Sequence, residues 1–243
     1  IKSCYNKSKV NGFQRKPWLI KFHYFGDKKL YKYVKSILDF VFALIGFILL
    51  SPVFLLVVIL IRIDSPGKAV FRQERTGKDG KPFLMYKFRS MLSTEVEFDK
   101  EHPVINDDNV NLTKVGRFIR KVKLDEAIQL LNIIRGEMSF IGPRPLKPEY
   151  LAEYKEWEKI KLKVRPGLGG LAQIKGNGHL EICERNYYDM KYATEMAFFK
   201  DIVIFFKTIL VVLKGEKSFV EHVDKEILSI LNGEDVKAKD QLE

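Results

Sequence analysis

Two adjacent carboxylates, Asp125 and Glu126, stand in the most chemically suggestive part of the chain. Basic residues lie before and after them in the sequence: Arg117, Arg120, Lys121, Lys123, Arg135 and Arg144. Two carboxylates inside such a cluster can hold a divalent cation and a phosphate together, and a carboxylate can also attack phosphorus to form an acyl phosphate. An acidic pair near the start of a helix also favours the helix dipole without doing any chemistry. The pair by itself leaves both interpretations open.

The composition narrows the class of partner. The chain has 243 residues, 46% of them hydrophobic, and a formal net charge of +11, which favours an anionic partner such as nucleic acid, a membrane surface or a phosphorylated substrate. The basic residues interleave with acids and match no nucleic-acid-binding motif, so we predict no nucleic-acid partner. Cys4 and Cys183 are far apart and in no metal-ligand spacing, so nothing in the sequence implies a disulfide framework or a zinc site.

The segment from Phe40 to Ile61 has no charged residue, and its roughly 22 residues are enough to span about 30 Å of hydrocarbon. Ser51 and Pro52 interrupt its middle. Pro52 removes a backbone donor and crowds the carbonyl of Ile48, so a kink is predicted there. Both flanks carry basic residues, which prefer the cytoplasmic side of a membrane. The pattern leaves open a re-entrant hairpin, a kinked span and, less in keeping with its apolar surface all round, a buried core helix.

The remaining residues predict a mixed polar domain. Short strands at 69–71 and 83–86 flank a turn at 77–82 and indicate a hairpin. Apolar spacing predicts further helices, and the very apolar stretch Ile202 to Leu213 can lie in the membrane interface or in the core. Gly136 is expected to end the helix predicted at 124–134. The predicted helices are 115–121, 124–134, 148–162 and 187–214, the last with a break near Lys200-Asp201. Irregular chain is predicted at 93–111, 142–145, 165–170 and in a charged tail from Gly233.

Several motifs, in a fixed order, resemble those of the bacterial sugar transferases, the monotopic phosphoglycosyl transferases that act on polyprenyl phosphate. The resemblance covers about Tyr31 to Gly215. The matching segments are Ser51-Pro52 in the apolar segment, Tyr86-Lys87-Phe88-Arg89-Ser90-Met91, Leu124-Asp125-Glu126, Gly136 to Pro145, Val164-Arg165-Pro166-Gly167, and Gly170-Leu171-Ala172-Gln173. A single Gly-Pro-Arg-Pro would be weak, but several motifs at matching spacing are specific.

The resemblance implies a role for each matching residue. Asp125 resembles the nucleophile that attacks the sugar-bearing phosphate of a UDP-sugar and expels UMP, and undecaprenyl phosphate then takes the phosphosugar. Glu126 resembles the second member of the pair, which with Asp125 holds Mg²⁺. Five basic residues match positions expected to bind substrate, most of them by facing phosphates: Lys87, Arg89, Arg120, Arg144 and Arg165. Ser51 and Pro52 match the break of a re-entrant membrane helix.

The resemblance also implies the architecture. We expect an α+β, mostly helical fold in which a re-entrant helix-break-helix hairpin joins a cytoplasmic catalytic domain with a short β-hairpin and interfacial amphipathic helices. The expected divisions are an N-terminal extension at 1–30, the hairpin at 31–63, the catalytic domain at 64–215 and a tail at 216–243. The expected location is the bacterial inner membrane, in contact with lipid, with the catalytic domain facing the cytoplasm. A homodimer is compatible with the sequence.

One departure from the family pattern concerns the loop after Gln173. Where the family often has Asn-Gly-Arg, this chain has Lys175-Gly176-Asn177, and Lys175 could supply the missing charge.

A different class of function is a non-catalytic membrane-anchored scaffold or regulator of polysaccharide assembly. The intact Asp125-Glu126 pair argues against the scaffold, because a protein without catalysis has no chemical reason to keep the pair.

Overall fold

The computed structural model describes residues 28–92 and 111–240. The predicted N-terminal extension at 1–30 falls almost entirely outside these residues, as does most of the acidic segment predicted at 93–111. The described chain is mostly helical, as predicted, and has two small sheets, of which only the hairpin was predicted. Its helices are α1 (Lys28–Asp64), α2 (Lys114–Lys121), α3 (Leu124–Ala127), α4 (Leu130–Ile134), α5 (Glu156–Lys159), α6 (Ile182–Glu195), α7 (Phe198–Lys214) and α8 (Lys225–Asp240). The strands are β1 (Val70–Thr76), β2 (Pro82–Phe88), β3 (Ser139–Ile141) and β4 (Gly167–Gly169).

The predicted hairpin is confirmed. Strands β1 and β2 pair antiparallel, from Val70 opposite Phe88 to Thr76 opposite Pro82. Each strand is longer than the apolar run that predicted it, because polar residues such as Arg72 and Lys87 also take part in the pairing. The hairpin matters for function because β2 carries Lys87 towards the acid pair.

Helix α1 contacts the rest of the molecule along a single face. Its buried positions are Lys35, Asp39, Ala43, Phe54, Val57 and Ile61, with Phe47 and Leu50 partly buried between them. Spacings of three and four residues place all of these on one face of a helix. The other faces are apolar and exposed, and Leu30–Asp64 is long and apolar enough to cross a membrane. A soluble core helix would bury such surface, so α1 is suited to contact lipid.

Pro52 lies inside α1 without ending it. Proline has no backbone N–H, so the carbonyl of Ile48, four residues earlier, loses its usual donor. The hydroxyl of Ser51 donates a hydrogen bond to that carbonyl at 2.7 Å. A serine side chain can satisfy a carbonyl freed by proline even in an apolar environment, which explains how one helical element continues through the predicted break.

The predicted helix at 124–134 is divided into α3 and α4, and Gly136 follows the end of α4 with a φ of +75°. The buried side chain of Asn132 accepts a hydrogen bond from the backbone N–H of Tyr86 and donates one to the carbonyl of Leu84. These bonds fasten α4 to strand β2, a tertiary contact that helical periodicity does not reveal.

The glycine-rich segment at 165–170 was predicted to be a loop, but it contains strand β4, which pairs parallel with β3. A Cβ on Gly167 would lie 2.0 Å from the backbone nitrogen of Gly142. Only glycine permits this approach, so the composition that suggested a loop instead allows two short strands to pair closely.

Three other boundaries differ from prediction. The break in the long C-terminal helical pattern falls at Met196 and Ala197, between α6 and α7, rather than at Lys200-Asp201. The helix predicted at 148–162 is a series of short helical turns around α5. The tail predicted to be loose from Gly233 is helical as far as Asp240, within α8.

Candidate active site

The acid pair lies on α3, whose start is set by an unusual backbone conformation. Lys123 has a φ of +55°, in the left-handed region, and separates α2 from α3. The chain therefore turns sharply just before Asp125 and Glu126, which fall in the first turn of α3. Asp125 is buried, with 8% of its surface exposed. The turn directs the pair into the molecule.

Glu126 is held by two cations from different parts of the chain. Its Oε1 lies 2.7 Å from Nζ of Lys87 on β2 and 3.1 Å from Nη2 of Arg144, which follows β3. Burial alone would raise the pKa of Glu126, but Lys87 and Arg144 hold that pKa well below its ordinary range. Glu126 is therefore a carboxylate at neutral pH, and it fixes the positions of both cations.

Among the described residues, Asp125 has fewer hydrogen-bond and ion-pair partners than Glu126 has. Its Oδ1 is buried and accepts no hydrogen bond from any residue that the structure describes. Burial and the negative charge of Glu126 raise the pKa of Asp125, while Lys87, Arg120 and Lys123 oppose the shift. A buried carboxylate oxygen without a partner is costly in a folded protein, so it marks a group suited to bind a ligand or react with one.

Arginines that the sequence analysis did not select lie behind the pair. Arg75 on β1 interacts with Arg144 and Glu126, and burial together with repulsion from Arg144 lowers the pKa of Arg75 to about 10. Arg185 on α6 is partly buried, and burial together with repulsion from Arg144 lowers its pKa as well. The backbone N–H of Arg144 donates to Asp189, whose pKa burial raises to about 6. Residues 75, 185 and 189 are distant in sequence and belong to no motif, so only the fold reveals them.

A third carboxylate, Glu216, joins the other side of the site. Its Oε1 lies 3.2 Å from Nζ of Lys123 and accepts a hydrogen bond from the amide of Asn177 at 3.0 Å. Asn177 thus has a defined partner, although it is not the arginine common in the family. Lys175 pairs with Glu221 instead of supplying the missing charge at this position.

The five predicted substrate-binding residues separate into two groups. Lys87 and Arg144 contact Glu126, and Arg120 acts electrostatically on Asp125. Arg89 instead donates to the carbonyls of Ser65 and Pro66 just after α1. The guanidinium of Arg165 lies 2.9 Å from Asp39 on α1. The structure therefore gives Arg89 and Arg165 contacts that hold α1 to the domain.

The acid pair offers a small set of oxygen donors for a metal ion. Among residues 28–92 and 111–240 no group of three or more acidic, histidine or cysteine side chains is arranged to hold an ion. Mg²⁺ commonly uses only one or two carboxylates together with substrate phosphates and water. The unpartnered Oδ1 of Asp125, beside Glu126, fits that mode of binding.

The long apolar helix suits the protein to a membrane, and the acid pair with its cations suits it to bind an anionic ligand. Residues 30–215 match the family model described as bacterial sugar transferase. The chain belongs to the bacterial sugar transferase family and so to the transferase enzymes, which confirms the predicted family and class.

Three relatives illustrate the similarity. ExoY, an exopolysaccharide production protein of Sinorhizobium fredii, is 37% identical over 76% of this chain and 88% of its own length. The undecaprenyl-phosphate galactose phosphotransferase of Salmonella typhimurium is 34% identical over 79% of this chain and 43% of its own length. The UDP-glucose:undecaprenyl-phosphate glucose-1-phosphate transferase of Escherichia coli is 37% identical over 70% of this chain and 38% of its own length. The chain therefore spans less than half the length of several relatives and most of the length of ExoY.

Proposed function

We propose that this chain transfers a sugar-1-phosphate from a UDP-sugar to undecaprenyl phosphate and releases UMP, as a first membrane step in assembling a bacterial glycoconjugate. The names of two relatives describe transfer of a sugar phosphate to undecaprenyl phosphate, and ExoY is named for exopolysaccharide production. The observation that carries the proposal is the contrast within the acid pair. Glu126 is neutralised by Lys87 and Arg144, whereas Asp125 presents a buried oxygen without a partner.

That contrast assigns different roles to the two carboxylates. A carboxylate oxygen of Asp125 attacks the phosphorus that bears the sugar, and the bond from this phosphorus to the bridging oxygen breaks. UMP leaves with the bonding electron pair, and the sugar phosphate remains on Asp125 as an acyl phosphate. A phosphate oxygen of undecaprenyl phosphate then attacks the same phosphorus and displaces Asp125, which forms the polyprenyl diphosphate sugar and regenerates the carboxylate.

The surrounding cations account for the electrostatic requirement of both steps. A diphosphate approaching a carboxylate is repelled, and phosphoryl transfer depends mainly on positioning and on neutralising charge. Lys87 and Arg144 are fixed by Glu126, and Arg75 and Arg185 add positive charge behind them. Because these cations belong to different elements of the fold, their arrangement is set before the substrate binds.

We propose that Asp125 and Glu126 also hold Mg²⁺ together with the substrate diphosphate. When bound, the ion would neutralise developing charge on the phosphoryl oxygens. Oδ1 of Asp125, which has no hydrogen-bond partner among the described residues, and the adjacent carboxylate of Glu126 support this placement.

We further propose that α1 enters the cytoplasmic leaflet and returns, so that the domain stays on the cytoplasmic side. The N-terminal end of α1 is held by the pairs Lys35–Asp201 and Asp39–Arg165, at 2.5 and 2.9 Å. At its C-terminal end, Asp64 accepts a hydrogen bond from the backbone N–H of Val115 at 2.9 Å. Polar groups of one folded domain thus hold both ends of α1. A helix that crosses the bilayer would instead place its two ends on opposite sides of the membrane. Ser51 and Pro52 lie between the two ends.

Topology can be tested by cysteine labelling in a Cys4→Ser, Cys183→Ser background. Lys32→Cys and Lys68→Cys, both at exposed positions, should react only with reagent admitted from the cytoplasmic side. Reaction of the two cysteines from opposite sides would reject the re-entrant arrangement.

The chemistry can be tested by omitting the acceptor. Purified protein mixed with Mg²⁺ and a UDP-sugar should release UMP up to about one equivalent and retain the phosphosugar on the peptide containing Asp125. Asp125→Asn should fold and bind UDP-sugar but form no adduct and lose turnover by several orders of magnitude. An adduct on another residue, or UMP release only after undecaprenyl phosphate is added, would replace the two-step scheme with a different one. A panel of UDP-sugars then identifies the donor, and no UMP release with any of them would favour the scaffold.

A further inference from the structure

A strongly basic cavity of about 480 Å³ lies beside the N-terminal part of α1. It is bounded by α1, by the turn between β1 and β2, and by the residues just before β4. Six basic side chains line it, against the single carboxylate of Glu137: Lys32, Lys35, Lys78, Lys81, Lys163 and Arg165. Its size lies within the range of small-molecule sites.

The cavity is separate from the acid pair. Phe83 on its wall and Lys87 at Glu126 are four residues apart on β2, which corresponds to about 13 Å at roughly 3.3 Å per residue. The lining residues include neither Asp125 nor Glu126. A ligand in the cavity would therefore leave the acid pair free for the transferase reaction.

Several of the lining cations have no counter-charge. Lys35 pairs with Asp201, and Arg165 pairs with Asp39. The carboxylate of Glu137 accepts a hydrogen bond from the amide of Asn132. Lys32, Lys81 and Lys163 are exposed and form no ion pair with an acid in the part of the chain that the structure describes. Three unpaired ammonium groups around one concavity attract an anion.

The position of the cavity along α1 specifies the kind of anion. Ser36 and Lys35, on its wall, precede Phe40 by four and five residues, about 6 and 8 Å along a helix. The headgroup region extends about 5–8 Å beyond the hydrocarbon on each side of a bilayer. Tyr33, two positions before Lys35 and 73% exposed, is of the residue type that anchors near the outer edge of this region.

We propose that this cavity binds the phosphate headgroup of an anionic membrane lipid and so holds the N-terminal end of α1 at the membrane surface. The inference rests on the proposed membrane placement of α1 and does not depend on the transferase chemistry. Lys81 and Lys163 come from two separate segments of the domain, so one bound phosphate would link both of them to α1.

Binding can be measured on the full chain in uncharged detergent by titration calorimetry. The probes are dihexanoyl phosphatidylglycerol, dihexanoyl phosphatidylcholine and inorganic phosphate. The anionic lipid should bind, and the zwitterionic lipid of equal chain length should bind at least tenfold more weakly. Equal binding of the two lipids would overturn the proposal. Inorganic phosphate that competes at the same concentration as the anionic lipid would overturn the assignment to a lipid.

A matched pair of variants locates the site. Lys81→Gln combined with Lys163→Gln should weaken binding of the anionic lipid tenfold or more. Lys159→Gln combined with Lys225→Gln removes the same charge from exposed lysines outside the cavity and should leave binding unchanged. Equal affinity in both variants would overturn the proposal.

Two further readouts separate this site from the transferase site. Turnover of the Lys81→Gln, Lys163→Gln variant in uncharged detergent should equal that of the wild type, and loss of turnover would place these lysines in the reaction instead. Asp125→Asn should bind phosphatidylglycerol as the wild type does, so failure of the transferase proposal would leave this test intact. Weakened binding by Asp125→Asn would place the lipid at the acid pair and overturn the proposal.

Discussion

The hydroxyl of Ser51 donates a hydrogen bond to the carbonyl of Ile48 at 2.7 Å, at the position where Pro52 leaves that carbonyl without its backbone donor. The serine thus compensates for the proline, and on the proposed membrane placement of α1 no water would be available to do so. This relationship explains why α1 remains helical through the predicted break. It also makes the two residues energetically dependent on one another.

On the proposed membrane placement of α1, Ser51→Ala is expected to destabilise the protein by about 1–3 kcal/mol, the cost of a carbonyl left unpaired out of reach of water. Pro52→Ala restores the N–H donor, so Ser51→Ala should cost much less in that background. Thermal unfolding of the four proteins in uncharged detergent measures the difference. Equal costs in both backgrounds would mean that the hydroxyl does not compensate for the proline.

Arg144 and Arg89 both match family positions expected to bind substrate, but the structure gives them different contacts. Arg144→Ala should reduce turnover at least a hundredfold with a small change in melting temperature, because it removes a cation from Glu126. Arg89→Ala should lower the melting temperature, because it removes the bonds to Ser65 and Pro66, and should affect turnover of the folded protein much less. The reverse pattern would contradict a role in the reaction for Arg144 and a structural role for Arg89.

Exhaustive chelation should abolish UMP release, and added Mg²⁺ should restore it, because Asp125 and Glu126 are proposed to share the ion with the diphosphate. Glu126→Gln should raise the Mg²⁺ concentration needed for half-maximal turnover and lower the maximum. Initial rates across a magnesium series test both effects. Full activity without a divalent cation would remove the metal from the scheme.

Glu216→Gln should lower turnover about fivefold, since weakening a partly exposed charge-assisted contact costs about 1 kcal/mol. The reason is that Glu216 holds Lys123, the left-handed residue that begins the helix bearing the acid pair. Glu221→Gln is the matched control, because it removes a nearby carboxylate that pairs with Lys175 instead. Equal rates for the two variants at saturating substrate would argue against a positioning role for Glu216.

Asp189 predicts a pH dependence of stability. Burial raises its pKa to about 6 in the folded protein, against about 3.9 for an unfolded aspartate. Between these values the folded state keeps a proton that the unfolded state has lost, so the contribution of Asp189 to stability falls as the pH rises from about 4 to 6. Asp189→Asn should remove this contribution and flatten the melting temperature over that interval. An unchanged slope would show that another group causes it.

Several features of this protein could be predicted from short sequence patterns alone. The uncharged run from Phe40 to Ile61, the hairpin and the Asp125-Glu126 pair are patterns within short segments, and the structure contains each of them. The order of the motifs was enough to predict the family. Such features depend on side-chain type and spacing, which the sequence contains in full.

The tertiary structure decided which residues meet. Lys87 and Arg144 resemble Arg89 and Arg165 in type and in their place within motifs, yet the first two contact Glu126 and the others hold α1. Arg75, Arg185 and Glu216 join the site from distant segments without any motif. An arginine side chain binds any carboxylate or carbonyl within reach, so its partner depends on which segments the fold brings together. That information lies in long-range packing, which spacing along a single chain does not specify.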